Sequence, residues 1–244
     1  THPIFGTVQG GLMPMFPYGV EIYFYSASIN LPNPGEYTVS WENCCRNEII
    51  GNITNASSEN MSLHTTFTND VSQNDSSPYF LVKPVVYLPV NTPWQYNPLP
   101  IDPDGDSLNW FIGTPNNALG TPIATYIDPP SDPSNVLSMD PVSGTISWTA
   151  SVTGNWVYTI VCEEFRGGVK IGEIRRDMQV IVVPSGSLPS FSNIGTIIPI
   201  VGGYPQWSIP AGQNSELRLL GGNPGTTNSI LFEAYGEPFL TSSP

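Results

Sequence analysis

Proline and glycine impose the first constraint on this chain. Its 244 residues include 26 Pro and 23 Gly, spread between short apolar runs rather than gathered into one linker. Pro lacks an amide hydrogen and fixes φ, so it is excluded from helix interiors and central strands. A chain punctuated in this way folds into short strands joined by turns. No window of a dozen residues carries apolar side chains at i, i+3, i+4 and i+7 without an interrupting Pro or Gly. The fold class is therefore read as all-β, and 39% hydrophobic residues suffice for packed cores.

Alternating apolar residues place the strands. In GVEIYFYSASINL, Val20, Ile22 and Phe24 alternate with Glu21, Tyr23 and Tyr25, and in GEYTVSWENCC the side chains of Tyr37, Val39 and Trp41 share a face. RNEIIGNITN and MSLHTTFTND read as two further strands, giving an N-terminal β-sandwich module over residues 1–76. The polar, turn-rich NDVSQNDSSP at 69–78 marks a boundary. A second module spans residues 77–184. Within it VLSMDPVSGTISWTA reads as strand, turn, strand, and GNWVYTIVCEEFRGGVKIGEIRRDMQVIVV as a hairpin turning at Gly167-Gly168. Six or seven strands here fit an immunoglobulin-like sandwich. Residues 185–244 begin with a linker, SGSLPSFSN, and continue as the start of a third, partial β module.

Charge narrows the partners. Only 11% of residues are charged, 7 Lys+Arg against 20 Asp+Glu, for a formal net charge of −13. Nucleic-acid phosphates and anionic lipid are both held through Lys and Arg, so a chain this acidic repels them and attracts cations. No apolar run reaches the roughly 18 residues a membrane-spanning helix needs. The opening THPIFGTVQG has neither a basic nor an apolar leader region, so any signal peptide is expected to have been removed or to lie outside this sequence.

Cysteines stand at 44, 45 and 162. Three cannot pair completely within one chain, and adjacent cysteines rarely bond each other because the ring they close is strained. The expected bridge joins Cys162 to one of the pair, with Cys45 the candidate; the alternative is three buried thiols.

Catalytic sets are scarce. The only histidines are His2 and His64, and no G-x-S-x-G elbow, P-loop, dinucleotide fingerprint or H-E-x-x-H motif occurs. His64 lies in an alternating strand and reads as structural, and Cys44, Cys45 and His64 lack zinc-ligand spacing. Glu163 and Glu164 are neighbours, so on a strand they face opposite sides and cannot flank a sugar together. The expectation is a protein that is not an enzyme.

One stretch remains, IDPDGDSLNW, which places Asp102, Asp104 and Asp106 at alternate positions around Gly105. In an irregular loop such carboxylates can point inward together, as Ca2+ with its six to eight oxygen ligands requires. The EF-hand pattern is not met, since its Gly falls at Ser107 and its Glu at Gly113. A full shell needs donors from elsewhere, for which Glu163, Glu164 and Asp177 are candidates, Asp177 being taken as the fourth ligand. The alternative is a solvated Asp/Gly turn.

DPDGDSLNW, with LSMDPVSGTISWTASVTGNWVYTIVCEEFRGGVKIGEIRRDMQVIV downstream of it, resembles the cadherin-like, immunoglobulin-like modules of very large bacterial surface proteins. YTVSWENCCRNEIIGNITN and NDSSPYFLVKPVVYLPVNTPWQYNPLPIDPDGDSL are similar to secreted Bacteroidetes proteins associated with gliding motility or exported by type IX secretion. The likeness covers residues 36–184. It implies an extracellular adhesin or stalk unit at the cell surface, stiffened by calcium. Such a unit stacks on neighbouring modules or on copies of itself, and β edges allow a filament. Leu88 stands where relatives often carry Cys, and a C-terminal sorting domain is missing, so the chain is expected to be a piece of something longer or to have lost its export signal. The alternative function is a carbohydrate-binding module or accessory domain that holds surface glycans on exposed Trp94, Trp110, Trp156 and Trp207. The sequons at Asn52, Asn55, Asn60 and Asn74 read as polar loops. Asp106-Ser107-Leu108 resembles the short O-glycosylation signal of Bacteroidetes.

Overall fold

The structure is a computed structural model that describes residues 25–70, 74–82, 84 and 86–185, plus short segments between 190 and 222. It is all-β. The strands in chain order are β1 (Gly35–Asn43), β2 (Met61–Asn69), β3 (Tyr79–Phe80), β4 (Val86–Pro89), β5 (Trp94–Tyr96) and β6 (Pro100–Ile101). They continue with β7 (Ser107–Gly113), β8 (Ser138–Met139), β9 (Ile146–Trp148), β10 (Gly154–Arg166) and β11 (Val169–Val183). Beyond these lie β12 (Ser190–Asn193), paired with β15 (Leu219–Gly222), and β13 (Ile200–Val201), paired with β14 (Tyr204–Pro205). Of the strand expected over 19–31, residues 19–24 lie outside the described residues, and 25–31 form no strand. Among the described residues no helix is long and apolar enough to cross a membrane.

The expected hairpin is the spine of the molecule. β10 and β11 pair along their length and turn at Gly167 (φ 59°) and Gly168 (φ 81°), left-handed positions that favour glycine. They sit inside a six-stranded sheet ordered β1-β2-β11-β10-β7, with β4 pairing in parallel against β11. Directly opposed residues share a face, so the register decides which side chains meet. One face carries Trp156, Tyr158, Ile160, Cys162 and Glu164 of β10 with Met178, Val180 and Val182 of β11. A three-stranded sheet, β5-β9-β8, covers this face and contributes Ile146 and Trp148 to the core. Each such buried side chain contributes about 1.5–3 kcal/mol of hydrophobic stabilisation.

The opposite face of β10 is covered by loops. RNEIIGNITN is not a strand: residues 46–60 form turns and a short 3-10 helix, Ala56–Ser58. Ile50, Ile53 and Ala56 recur every third residue, so they wrap over Val157 rather than alternate. Asn52, 1% exposed, takes the place of a strand partner. Its Nδ2 donates to the carbonyls of Val157 (2.8 Å) and Ile127 (2.9 Å), and its Oδ1 accepts from Val157 N–H (3.0 Å). The Asn52 sequon is thus an interior clamp and not a polar loop. Gly51 allows the close approach, because a Cβ there would lie 2.7 Å from the Trp156 ring.

The boundary placed at 69–78 falls on the connection between β2 and β3, yet the sheet continues across it. Phe67 and Thr66 of β2 pair with Gly172 and Glu173 of β11, and Thr65 Oγ1 donates to Glu173 O at 2.8 Å. The cysteine pairing also differs from expectation. Cys44 and Cys45 are bonded to each other, and Cys162 is a buried free thiol in the core. β2 and β11 separate β1 from β10, a span of roughly 14 Å at strand spacing, whereas a disulfide requires Cα atoms within about 7 Å.

Candidate metal centre

The IDPDGDSLNW loop joins β6 to β7 and is built around one side chain. Asp102 Oδ1 accepts from the amides of Asp104 (2.7 Å), Gly105 (2.7 Å) and Asp106 (3.2 Å). Gly105, at φ 80°, lets the chain curl over that oxygen. Asp104 turns outward, is exposed, and accepts from the Ser76 amide at 2.7 Å. Asp106 turns inward, with its side chain 7% exposed. Alternation therefore splits the three carboxylates instead of uniting them.

Two residues from elsewhere complete the centre. Single carboxylate oxygens of Asp75, Asp106 and Glu164 lie within 4.8 Å of one another. Asp75 comes from the connection between β2 and β3. Glu164 stands opposite Leu108 on β7 and Gly172 on β11, on the core face. A Cβ on Gly172 would lie 2.7 Å from Glu164 Oε2, so the glycine makes room for the acid. Arg166, two residues along β10, donates through Nε to Asp106 Oδ1 (2.9 Å), and its Nη2 contacts Asp106 Oδ2. That Nη2 also donates to Asp75 Oδ1 at 2.7 Å.

Glu164 is 1% exposed, and among the described residues its Oε1 and the buried Oδ2 of Asp102 receive no donor from any group beyond these two carboxyls. Burial, the hydrogen bond it shares with Asp102, and the charges of Asp75, Asp102 and Asp106 push the Glu164 carboxyl up to about 8. Burial also raises Asp75, against the opposing pull of Arg166. Asp102 moves the other way: burial opposes its ionisation, but Glu164 and the three loop amides outweigh it. Two facing carboxyls with orphaned oxygens need a shared proton or a cation between them. An all-oxygen donor set of this kind suits a hard divalent cation such as Ca2+.

Asp177 is not part of this centre. It lies on the opposite face of β11, where it accepts from the Thr159 hydroxyl and forms an ion pair with Arg46 Nη2 at 2.6 Å. Arg46 also donates to Asn116 O (2.8 Å) and Asn60 O (3.2 Å). Glu163 faces the same way as Asp177 and pairs with Lys170 (2.8 Å) and Asn109 (3.0 Å). His64 lies near Asn116 (3.3 Å) and Glu173 (3.9 Å); burial first, then Arg175, holds its ring below the usual imidazole range. Among the described residues the tryptophans do not form an exposed row. Trp110 and Trp156 are buried in the core, Trp94 stacks on Tyr96 and packs against Trp148, and Trp207 is outside the described residues.

No family model matches the chain, and no curated protein matches it. Among solved structures it is similar to a Bacteroides fragilis protein assigned as an alpha-galactosidase, at 12% identity and a TM-score of 0.29. That match covers 45% of this chain and 18% of the other.

Proposed function

We propose that this chain is a non-enzymatic structural segment of an extracellular surface protein, built of immunoglobulin-like or cadherin-like sandwich modules, in which a bound Ca2+ stiffens one end of the sheet. The observation that carries this reading is Glu164, a fully buried acid grouped with Asp75 and Asp106, whose carboxyl finds no donor beyond the neighbouring Asp102 carboxyl. Asp75, Asp102, Asp106 and Glu164 would hold the ion. It would supply the positive charge that the inner pair lacks. The residues come from three stretches of chain, namely the β2–β3 connection, the β6–β7 loop and the end of β10. Holding them together locks the edge strand β7 and the β10–β11 turn to the segment that follows β2.

Thermal unfolding of the whole chain in CaCl2 against chelator tests the proposal. A ligand that binds only the folded state at a hundred times its Kd adds about 2.7 kcal/mol. For a chain of this size that is a rise of roughly 5–10 °C in Tm. An unchanged midpoint removes calcium from the account.

A further inference from the structure

We infer that Arg166 is a built-in competitor for the divalent cation, holding the outer half of the centre and keeping cation affinity low. The inference rests on the proposed calcium site and concerns its regulation. The centre is divided unevenly. Arg166 engages both oxygens of Asp106 and one of Asp75, and its Nη1 lies 3.4 Å from Asn74 O. Among the described residues the inner oxygens, Glu164 Oε1 and Asp102 Oδ2, receive no donor from any third group. One guanidinium thus satisfies two carboxylates and leaves the deeper pair alone.

An ion drawn to Glu164 must reach six or more oxygens, and Asp75 and Asp106 are the nearest further carboxylates. Those are the groups Arg166 holds. Guanidinium and cation would then sit a few ångströms apart with the same sign of charge, and only one can have full use of the two acids. Arg166 has a way out: its side chain is 29% exposed, and it precedes the Gly167-Gly168 turn at the sheet's end. Entry of the cation is therefore an exchange of one positive group for another. The arginine also spares the cation-free state from two unbalanced carboxylates, so the same residue stabilises the empty centre and weakens the loaded one.

Calorimetric titration of CaCl2 into the metal-stripped whole chain, wild type and Arg166→Gln, tests this, with Tm in chelator measured beside it. Arg166→Gln should bind Ca2+ at least about tenfold more tightly and melt lower in chelator, so that its calcium-induced rise in Tm exceeds the wild type's. Arg166→Lys, which keeps the charge but not the two-pronged grip, should fall between them, and it serves if the Gln variant fails to fold. Calcium binding by Arg166→Gln but not by wild type also supports the competition. If wild type binds and the variants bind equally or more weakly, the competition is wrong while the calcium site stands. If no form binds, both ideas fall.

Discussion

A single buried acid gives the molecule a pH dependence of definite sign. The folded-state value for Glu164 is raised to about 8 by burial, the hydrogen bond it shares with Asp102 and the neighbouring carboxylates, whereas an unfolded Glu titrates near 4.5. A raised group contributes stability in full below its unfolded value and loses it as pH climbs through the folded one. In chelator, urea unfolding should therefore show the chain losing about 2–4 kcal/mol between pH 5 and pH 8.5. Glu164→Gln should flatten that slope; an unchanged slope would mean that Glu164 does not carry the charge burden assigned to it. Added Ca2+ should also flatten it, because a cation favours the ionised acid. Asp102, shifted down, acts in the opposite direction only at more acid pH, outside this window. The alternating acids at 102–106 were legible in the sequence, and so was the absence of an EF-hand. The partition among them was not, because Asp102 spends one oxygen on its own loop amides, and a one-dimensional pattern does not show which way each carboxylate turns. Asp75 was hidden in a polar stretch that reads as a boundary. Glu164 was a named candidate, but its depth depends on Gly172, a neighbour only across the hairpin.

At the level of elements, β10 is a central strand whose second face is finished by a loop rather than by another sheet. Asn52 bonds both backbone groups of Val157 and one of Ile127. Asn52→Ala should cost about 3 kcal/mol in urea unfolding, since it strands buried polar groups as well as losing three hydrogen bonds. A cost below about 1 kcal/mol would show that water replaces the clamp. The β10–β11 hairpin was readable because alternation and a Gly-Gly turn are local signals. Residues 46–55 read as a strand in the sequence because Ile49, Ile50 and Ile53 look like strand residues until their contacts are known. Those contacts lie about a hundred residues away along the chain, at Val157, where no local pattern reaches.

For the whole molecule, the decisive pairing is β2 against β11, which carries the sheet across a boundary that composition suggested. Turn-rich sequence marks where the chain leaves one strand, and says nothing of which sheet the next one joins. β1 runs antiparallel to β2, and β2 antiparallel to β11, so β1 and β11 run parallel. Tension between Gly35 and Val183 consequently pulls the start of one strand away from the finish of another along their common axis. The cross-strand bonds lie across that line, so they are sheared together and do not peel open singly. Only two register pairs join β2 to β11, and the slip should begin there, restrained by Arg46 on Asp177 and Asn52 on Val157. Force spectroscopy on the chain held at those ends should record one abrupt rupture; a staircase of small extensions would contradict it. A protein loaded this way behaves less like a zip than like a lap joint, stiff until it gives.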